Sequence, residues 1–121
     1  MPGTSLLSDV RIADMTTVIF GPYCTQTLAD MGADVVKVEP QGGDDFRNVG
    51  KPARNRSMGP CHLTINRGKR SVVWDLKSDP GKRAIRKLIG QSDVFIHNIR
   101  PEAVARLGLT FDEVKAIKPD I

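Results

Sequence analysis

Apolar positions along this chain fall into short runs that switch between strand and helix spacing. Val10, Ile12 and the apolar positions after them suit a buried strand that runs into a turn around Phe20, Gly21 and Pro22. Gly21 accepts backbone angles that other residues avoid, and Pro22 fits a first helical turn, where its missing N–H costs nothing. Leu28 and Met31 then give part of a helical stripe, and Gly32 sits where a helix C-terminus favours a left-handed residue. DVVKVE (34–39) is the β-branched run expected of a strand in a parallel sheet covered by helices. Residues 10–40 therefore predict a right-handed strand–helix–strand crossover, whose ligand crevice lies at the carboxyl ends of its strands, here the turn Thr17–Tyr23.

Residues 40–60 are rich in Gly, Pro and Asn and keep no period, which predicts a long functional or mobile loop. CHLTIN (61–66) and SVVWDL (71–76) predict two short strands on either side of the turn NRGKR (66–70). Asp79 and Pro80 open a helix with Ile85, Leu88 and Ile89 on one face and Gly90 near its end. DVFIHN (93–98) reads as another buried strand, and Pro101 starts a short helix that stops at Gly108. Thr110 and Glu113 form a capping box for a last helix ending before Pro119. Residues 1–9 read as a lead-in, and Asp120 and Ile121 as the first step of a further strand. Strands alternating with helices predict an α/β fold with a mostly parallel sheet. Residues 10–121 are then expected to be the N-terminal, incomplete part of a larger domain.

Composition changes this picture in two places. Of the 121 residues, 40% are hydrophobic and 26% charged, an ordinary globular profile. Asp9, Arg11 and Asp14 interrupt any signal-peptide core, and no run approaches the ~18 apolar residues of a membrane span. Cys24 and Cys61 have no metal or redox spacing, which favours a reducing compartment and a cytoplasmic location without separating it from mitochondrion or peroxisome. The net charge of +4 is local: Arg47, Lys51, Arg54, Arg56, Arg67, Lys69 and Arg70 lie between Phe46 and Trp74 with no Asp or Glu among them. The remainder holds 11 basic against 14 acidic residues, so a local anion site explains the excess better than a generally basic protein.

The first turn, V-I-F-G-P, lacks the G-x-G-x-x-G of dinucleotide folds, which disfavours NAD. Glu39 stands where such folds place a ribose carboxylate, but without the glycines a solvated strand-end charge is the plainer reading. Cys24, in a first helical turn, has the position of an activated thiolate; with no His near it in sequence, a small packed residue is favoured. His62 and His97 are single and read as structural or surface groups, and no metal site is expected. Gly68 bends NRGKR sharply, and Arg67, Lys69 and Arg70 there could hold a phosphate-bearing ligand. Taken alone, a solvated hairpin is the better account of that turn. Lys77 after the next strand, and Asn98 and Arg100 after the one beyond, make polar groups recur at strand ends and favour a small phosphorylated ligand.

Four blocks, GPYCTQTLADMGADVVKVEP, GGDDFR, NRGKRSVVWDLKSDPGKRAIRKLI and SDVFIHNIRPEAVARLGL, together resemble the class III CoA-transferase family from about Val10 to Ile121. That group includes formyl-CoA:oxalate and carnitine CoA-transferases and, as a structural cousin, α-methylacyl-CoA racemase. The resemblance implies a Rossmann-like large domain that binds coenzyme A and a homodimer of interlocked chains. It implies CoA contacts at Val18, Ile19 and Phe20 after the first strand, at Trp74 and Lys77, at Asn98 and Ile99, and at Arg106. Pro40 replaces an arginine that some members turn toward the nucleotide, and Trp74 stands where a smaller aliphatic residue is common. Its bulk would narrow the pocket or stack on adenine. The implied activity is CoA transfer from an acyl-CoA to a carboxylic acid acceptor through an aspartyl intermediate. The reactive aspartate is expected downstream of Ile121, so no catalytic residue is assigned within the chain. Two other readings stand beside it: an acyl-CoA racemase using an acid/base pair, and a non-enzymatic module, for example for RNA, using the basic 46–74 segment. With only Phe46 and Trp74 as aromatics, that segment makes a poor stacking platform, so no nucleic-acid partner is expected.

Overall fold

Four short strands, β1 (Arg11–Met15), β2 (Asp34–Glu39), β3 (Arg70–Val73) and β4 (Val94–His97), form one sheet in the order β3-β2-β1-β4. The computed structural model describes residues 5–51 and 57–121. Every pairing is parallel; Ile12, for example, lies opposite Val35 on one side and Val94 on the other. The helices are α1 (Phe20–Asp30), α2 (Pro60–Asn66), α3 (Asp79–Gly90), α4 (Pro101–Leu107) and α5 (Phe111–Ile117). The expected α/β class with a mostly parallel sheet is the observed one. No described helix is long and apolar enough to cross a membrane.

Strand side chains alternate between faces, and the core divides accordingly. Met15, Val38 and Phe95 pack with Ile85 and Ile89 of α3, Val104 of α4 and Val114 of α5. Ile12, Val35 and Ile96 pack on the other face with Leu28 and Ala29 of α1. On that second face the strands begin apolar and end charged: Ile12 is followed by Asp14, and Val35 by Lys37 and Glu39, all buried. The α1 side of the sheet therefore changes from hydrocarbon to ion pairs toward its carboxyl edge.

Several expected elements hold and others are corrected. Gly32 has φ +101° after α1, and Gly108 φ +69° after α4, as helix-ending glycines should. The Thr110–Glu113 capping box is present, with Thr110 N–H donating to Glu113 Oε2 at 2.9 Å. Its hydrogen bonds hold the Glu113 carboxyl below its usual range. CHLTIN, in contrast, is helix α2 and not a strand. Pro60 stands at its first turn, and His62 and Ile65, three apart, are its buried residues. NRGKR thus links a helix to a strand, so it is no hairpin turn. DVFIHN is a partly exposed edge strand, not a buried one, with Val94 39% exposed. Helix α1 starts two residues before Pro22, and a Cβ on Gly21 would lie 2.3 Å from Thr16 Cβ. The glycine there allows close packing of helix on strand end. The loop after β2 holds one 3-10 turn, Asp45–Asn48, capped by buried Asp44; residues 52–56, with Arg54 and Arg56, lie outside the described residues.

Candidate site at the carboxyl edge of the sheet

Between β1 and α1 the chain passes through Thr16, Thr17 and Val18, where side chains from distant segments hold the backbone. Thr16 N–H donates to Asp14 Oδ1 at 2.8 Å, and Thr16 O accepts from Lys37 Nζ at 2.7 Å. Asn98, just after β4, clasps Thr17: its Oδ1 accepts the Thr17 N–H at 3.0 Å and its Nδ2 donates to Thr17 O at 2.9 Å. Val18 N–H donates to Asp44 Oδ1 at 3.3 Å. Val18 itself has φ +70°, a left-handed conformation that is a true outlier for a β-branched residue. Such strain costs about 1–3 kcal/mol and persists only where the surroundings enforce it.

Beside this turn lies a cleft of about 530 Å³. Thr17, Pro40, Trp74, Lys77, Ile99 and Leu107 contribute to its walls, so every strand end of the sheet takes part. Of the expected ligand residues, the fold brings Trp74, Lys77 and Ile99 together here. Val18, Ile19 and Phe20 lie on the adjoining turn and start of α1, with Phe20 87% exposed. Asn98 is committed to the Thr17 backbone. Arg106 is an exposed residue of α4 whose neighbour Leu107, not Arg106 itself, lines the cleft.

The basic segment is put to another use than phosphate binding. Arg67 pairs with Asp30 at 2.5 Å and Arg70 with both Asp34 oxygens at 2.6 and 2.7 Å. Lys69 is buried, donating to Asp14 Oδ2 at 3.1 Å, Pro22 O at 2.9 Å and Asn66 Oδ1 at 2.8 Å. Burial lowers the Lys69 pKa, opposed by the Asp14 carboxylate. All three cations of NRGKR are thus neutralised within the chain. Asp30, Asp14 and Asp34 lie 36 to 55 residues away from their partners, beyond the reach of local patterning.

Glu39 is likewise no solvated strand-end charge. It is buried and accepts from Arg47 Nε at 2.7 Å, Ser71 Oγ at 2.6 Å and the Asp44 N–H at 2.8 Å. Burial alone would raise its carboxyl, but these bonds outweigh burial and bring it down to about 2. His62 is buried with Asn66 Nδ2 3.2 Å from its Nδ1, and burial with nearby Arg47 pushes its pKa down. His97 is exposed, and Cys24 is exposed where a packed residue was expected. Among the described residues no cluster of three His, Cys, Asp or Glu could hold a metal. Asp14, Lys37 and Asp44 are the groups that pattern reading missed. The signal for Asp14 and Lys37 was a charge at an inward position of an otherwise apolar strand, as in RIADM and DVVKVE; Asp44, in the loop after β2, had none.

The profile of CoA-transferase family III matches residues 7–121. A succinate–glutarate CoA-transferase from Agrobacterium fabrum is 42% identical over 122 residues, which cover 95% of this chain and 30% of that protein. A formyl-CoA:oxalate CoA-transferase from Streptomyces coelicolor is 43% identical over 116 residues, covering 95% of this chain and 28% of its own length. Among solved structures, a CAIB/BAIF family protein from Brucella suis superposes with a TM-score of 0.88 at 34% identity, covering 93% of this chain and 31% of that one. The chain thus spans under a third of the length of these relatives.

Proposed function

The chain belongs to CoA-transferase family III, and from that premise we propose that it forms the CoA-binding part of an acyl-CoA:carboxylate CoA-transferase. The observation that carries this reading is the cleft at the carboxyl edge, where Trp74 and Lys77 from the end of β3 meet Ile99 from the end of β4. A parallel α/β sheet binds ligands at that edge. The cleft wall is mainly apolar, Glu39 in it is already held by Arg47, and Lys77, next but one to Asp75, is its cation for a nucleotide's phosphates. On this reading Trp74 packs against the adenine and Lys77 faces the charged groups inside the cleft. Arg106, outside it on α4, meets charged groups that project past the rim, and the turn Val18–Phe20 lies along the ligand.

The chemistry belongs to an aspartate outside these 121 residues. Its carboxylate attacks the acyl-CoA carbonyl, expels CoA thiolate and becomes a mixed anhydride. The thiolate then attacks the aspartyl carbonyl, releasing the donor acid and leaving an aspartyl-CoA thioester. The acceptor carboxylate attacks that thioester, again expelling thiolate, which takes the acceptor acyl group and restores the aspartate. This chain's part is to keep the thiol end of CoA in place between the steps, which sustains near-attack geometry. Succinate, glutarate and oxalate in the relatives' names make dicarboxylates the first substrates to try. We extend the reading to an interlocked homodimer, in which exposed Phe20 and Tyr23 would find cover.

The test uses the complete protein with succinyl-CoA and a panel of dicarboxylates. CoA exchange is expected, with a hydroxylamine-sensitive protein adduct that maps outside residues 1–121. Lys77→Ala and Arg106→Ala should each weaken CoA binding by about 1–3 kcal/mol, the scale of a charge-assisted contact. Unchanged calorimetric affinity in both variants would reject the site, and absence of exchange with every acceptor would reject the reaction.

A further inference from the structure

We propose that Asp44 is a positioning residue whose buried carboxylate, fixed by Lys37, holds the Val18 amide and keeps the β1–α1 turn in its left-handed form. The inference rests on the reading that this turn meets acyl-CoA. Val18 is 44% exposed, so packing of its side chain does not impose φ +70°. The restraint comes from the backbone. Asp44 Oδ1 accepts the N–H groups of Val18 at 3.3 Å and Phe46 at 3.0 Å, tying the turn to the loop after β2. Lys37 Nζ lies 2.9 Å from Asp44 Oδ2 and donates to Thr16 O, so one ammonium fixes both the carboxylate and the carbonyl two residues before the strain. The side chains of Asp44 and Lys37 are 0% and 1% exposed.

The loop that carries Asp44 is itself latched. Its N–H donates to Glu39 Oε2, and Arg47 grips the same carboxylate. A buried ion pair is weak evidence of net stabilisation, because desolvating both charges offsets their attraction. Enforcing one backbone geometry is what this pair does that an apolar pair could not. A turn already in its bound form spares the ligand the cost of ordering it.

The experiment compares the complete wild-type protein with Asp44→Asn, Val18→Gly and the double variant. Asp44→Asn turns an amide NH2 toward Lys37 and leaves a neutral acceptor for the Val18 N–H. It should raise the KM for acyl-CoA about tenfold, the factor between a charged and a neutral hydrogen bond, with kcat changed by less than about twofold. Glycine takes φ +70° without strain. Against the Val18→Gly baseline, whatever that is, adding Asp44→Asn should therefore cost less than about twofold. Hydrogen exchange without ligand should speed up in the peptide covering residues 16–20 of Asp44→Asn, while α3 and α5 stay as in wild type. An equal KM penalty in both backgrounds, or unchanged exchange in that peptide, overturns the proposal. Should Asp44→Asn not fold, Lys37→Met with Asp44→Asn removes the orphaned ammonium and gives the same readouts. Failure of wild type to bind acyl-CoA would reject the CoA reading alone, because the exchange measurement uses no ligand.

Discussion

Glu39 closes β2 with its carboxylate out of water and held by Arg47, Ser71 and the Asp44 amide. Its pKa falls from an ordinary 4.5 to about 2, so the native state binds this proton less readily than the unfolded chain. The stability it contributes, on the order of 3 kcal/mol, is fully present above pH 4.5 and lost as pH falls toward 2. The gap in urea stability between wild type and Glu39→Gln should therefore be large at neutral pH and shrink across that window. A gap independent of pH would mean that the carboxylate is not held as described. His62, whose pKa is also lowered, adds an earlier loss that begins below its ordinary 6.5 as the buried ring takes up a proton. At this scale the sequence is least legible. Lys37, Lys69 and Asp14 are visible as charges inside or beside strands, but only the fold reveals that Lys69 answers Asp14 and Lys37 answers Asp44.

Among the elements, those with a long period or a chemical stop were legible. Helix α3 runs from Asp79 to Gly90 with Ile85 and Ile89 buried, and α5 carries its capping box. α2 was not, because six residues such as CHLTIN satisfy both periods. As a strand, Cys61, Leu63 and Ile65 would share a face; as a helix, His62 and Ile65 do. Pro60 after Gly59 was the available signal. The two arrangements separate cleanly by substitution. Leu63 is 47% exposed, so Leu63→Ala should cost no more than about 0.5 kcal/mol, the surface scale. Ile65→Ala should cost about 2–5 kcal/mol, the scale of a truncated core side chain. Equal costs in chemical denaturation would restore the strand.

Across the whole molecule, the α1 face of the sheet changes to ion pairs near its carboxyl edge, while the α3 face packs apolar side chains and carries its ion pair, Arg70 with Asp34, at the amino end. Of the basic 46–74 segment, Arg47 and Lys69 belong to the ion pairs at the carboxyl edge. Arg47, Arg67, Lys69 and Arg70 each meet a carboxylate, so four of the seven cations that read as an anion site in one dimension are neutralised in three. The sequence placed the surplus charge correctly but could not show where the acidic partners stood. RNA binding through this segment should accordingly be weak, with a salt dependence of at most about three counterions released, one for each remaining cation. A filter-binding slope corresponding to about six or seven counterions would mean that these pairs open for a polyanion.

Trp74, half-buried in the cleft wall, is the only tryptophan of this chain. Its indole is therefore an optical reporter placed at the proposed ligand surface. A nucleobase stacked on that ring should quench its emission, while a ligand bound elsewhere should leave it unchanged. Titrating coenzyme A and then pantetheine, which lacks the adenine, would separate the two halves of the ligand by light alone, with Trp74→Phe as the dark control.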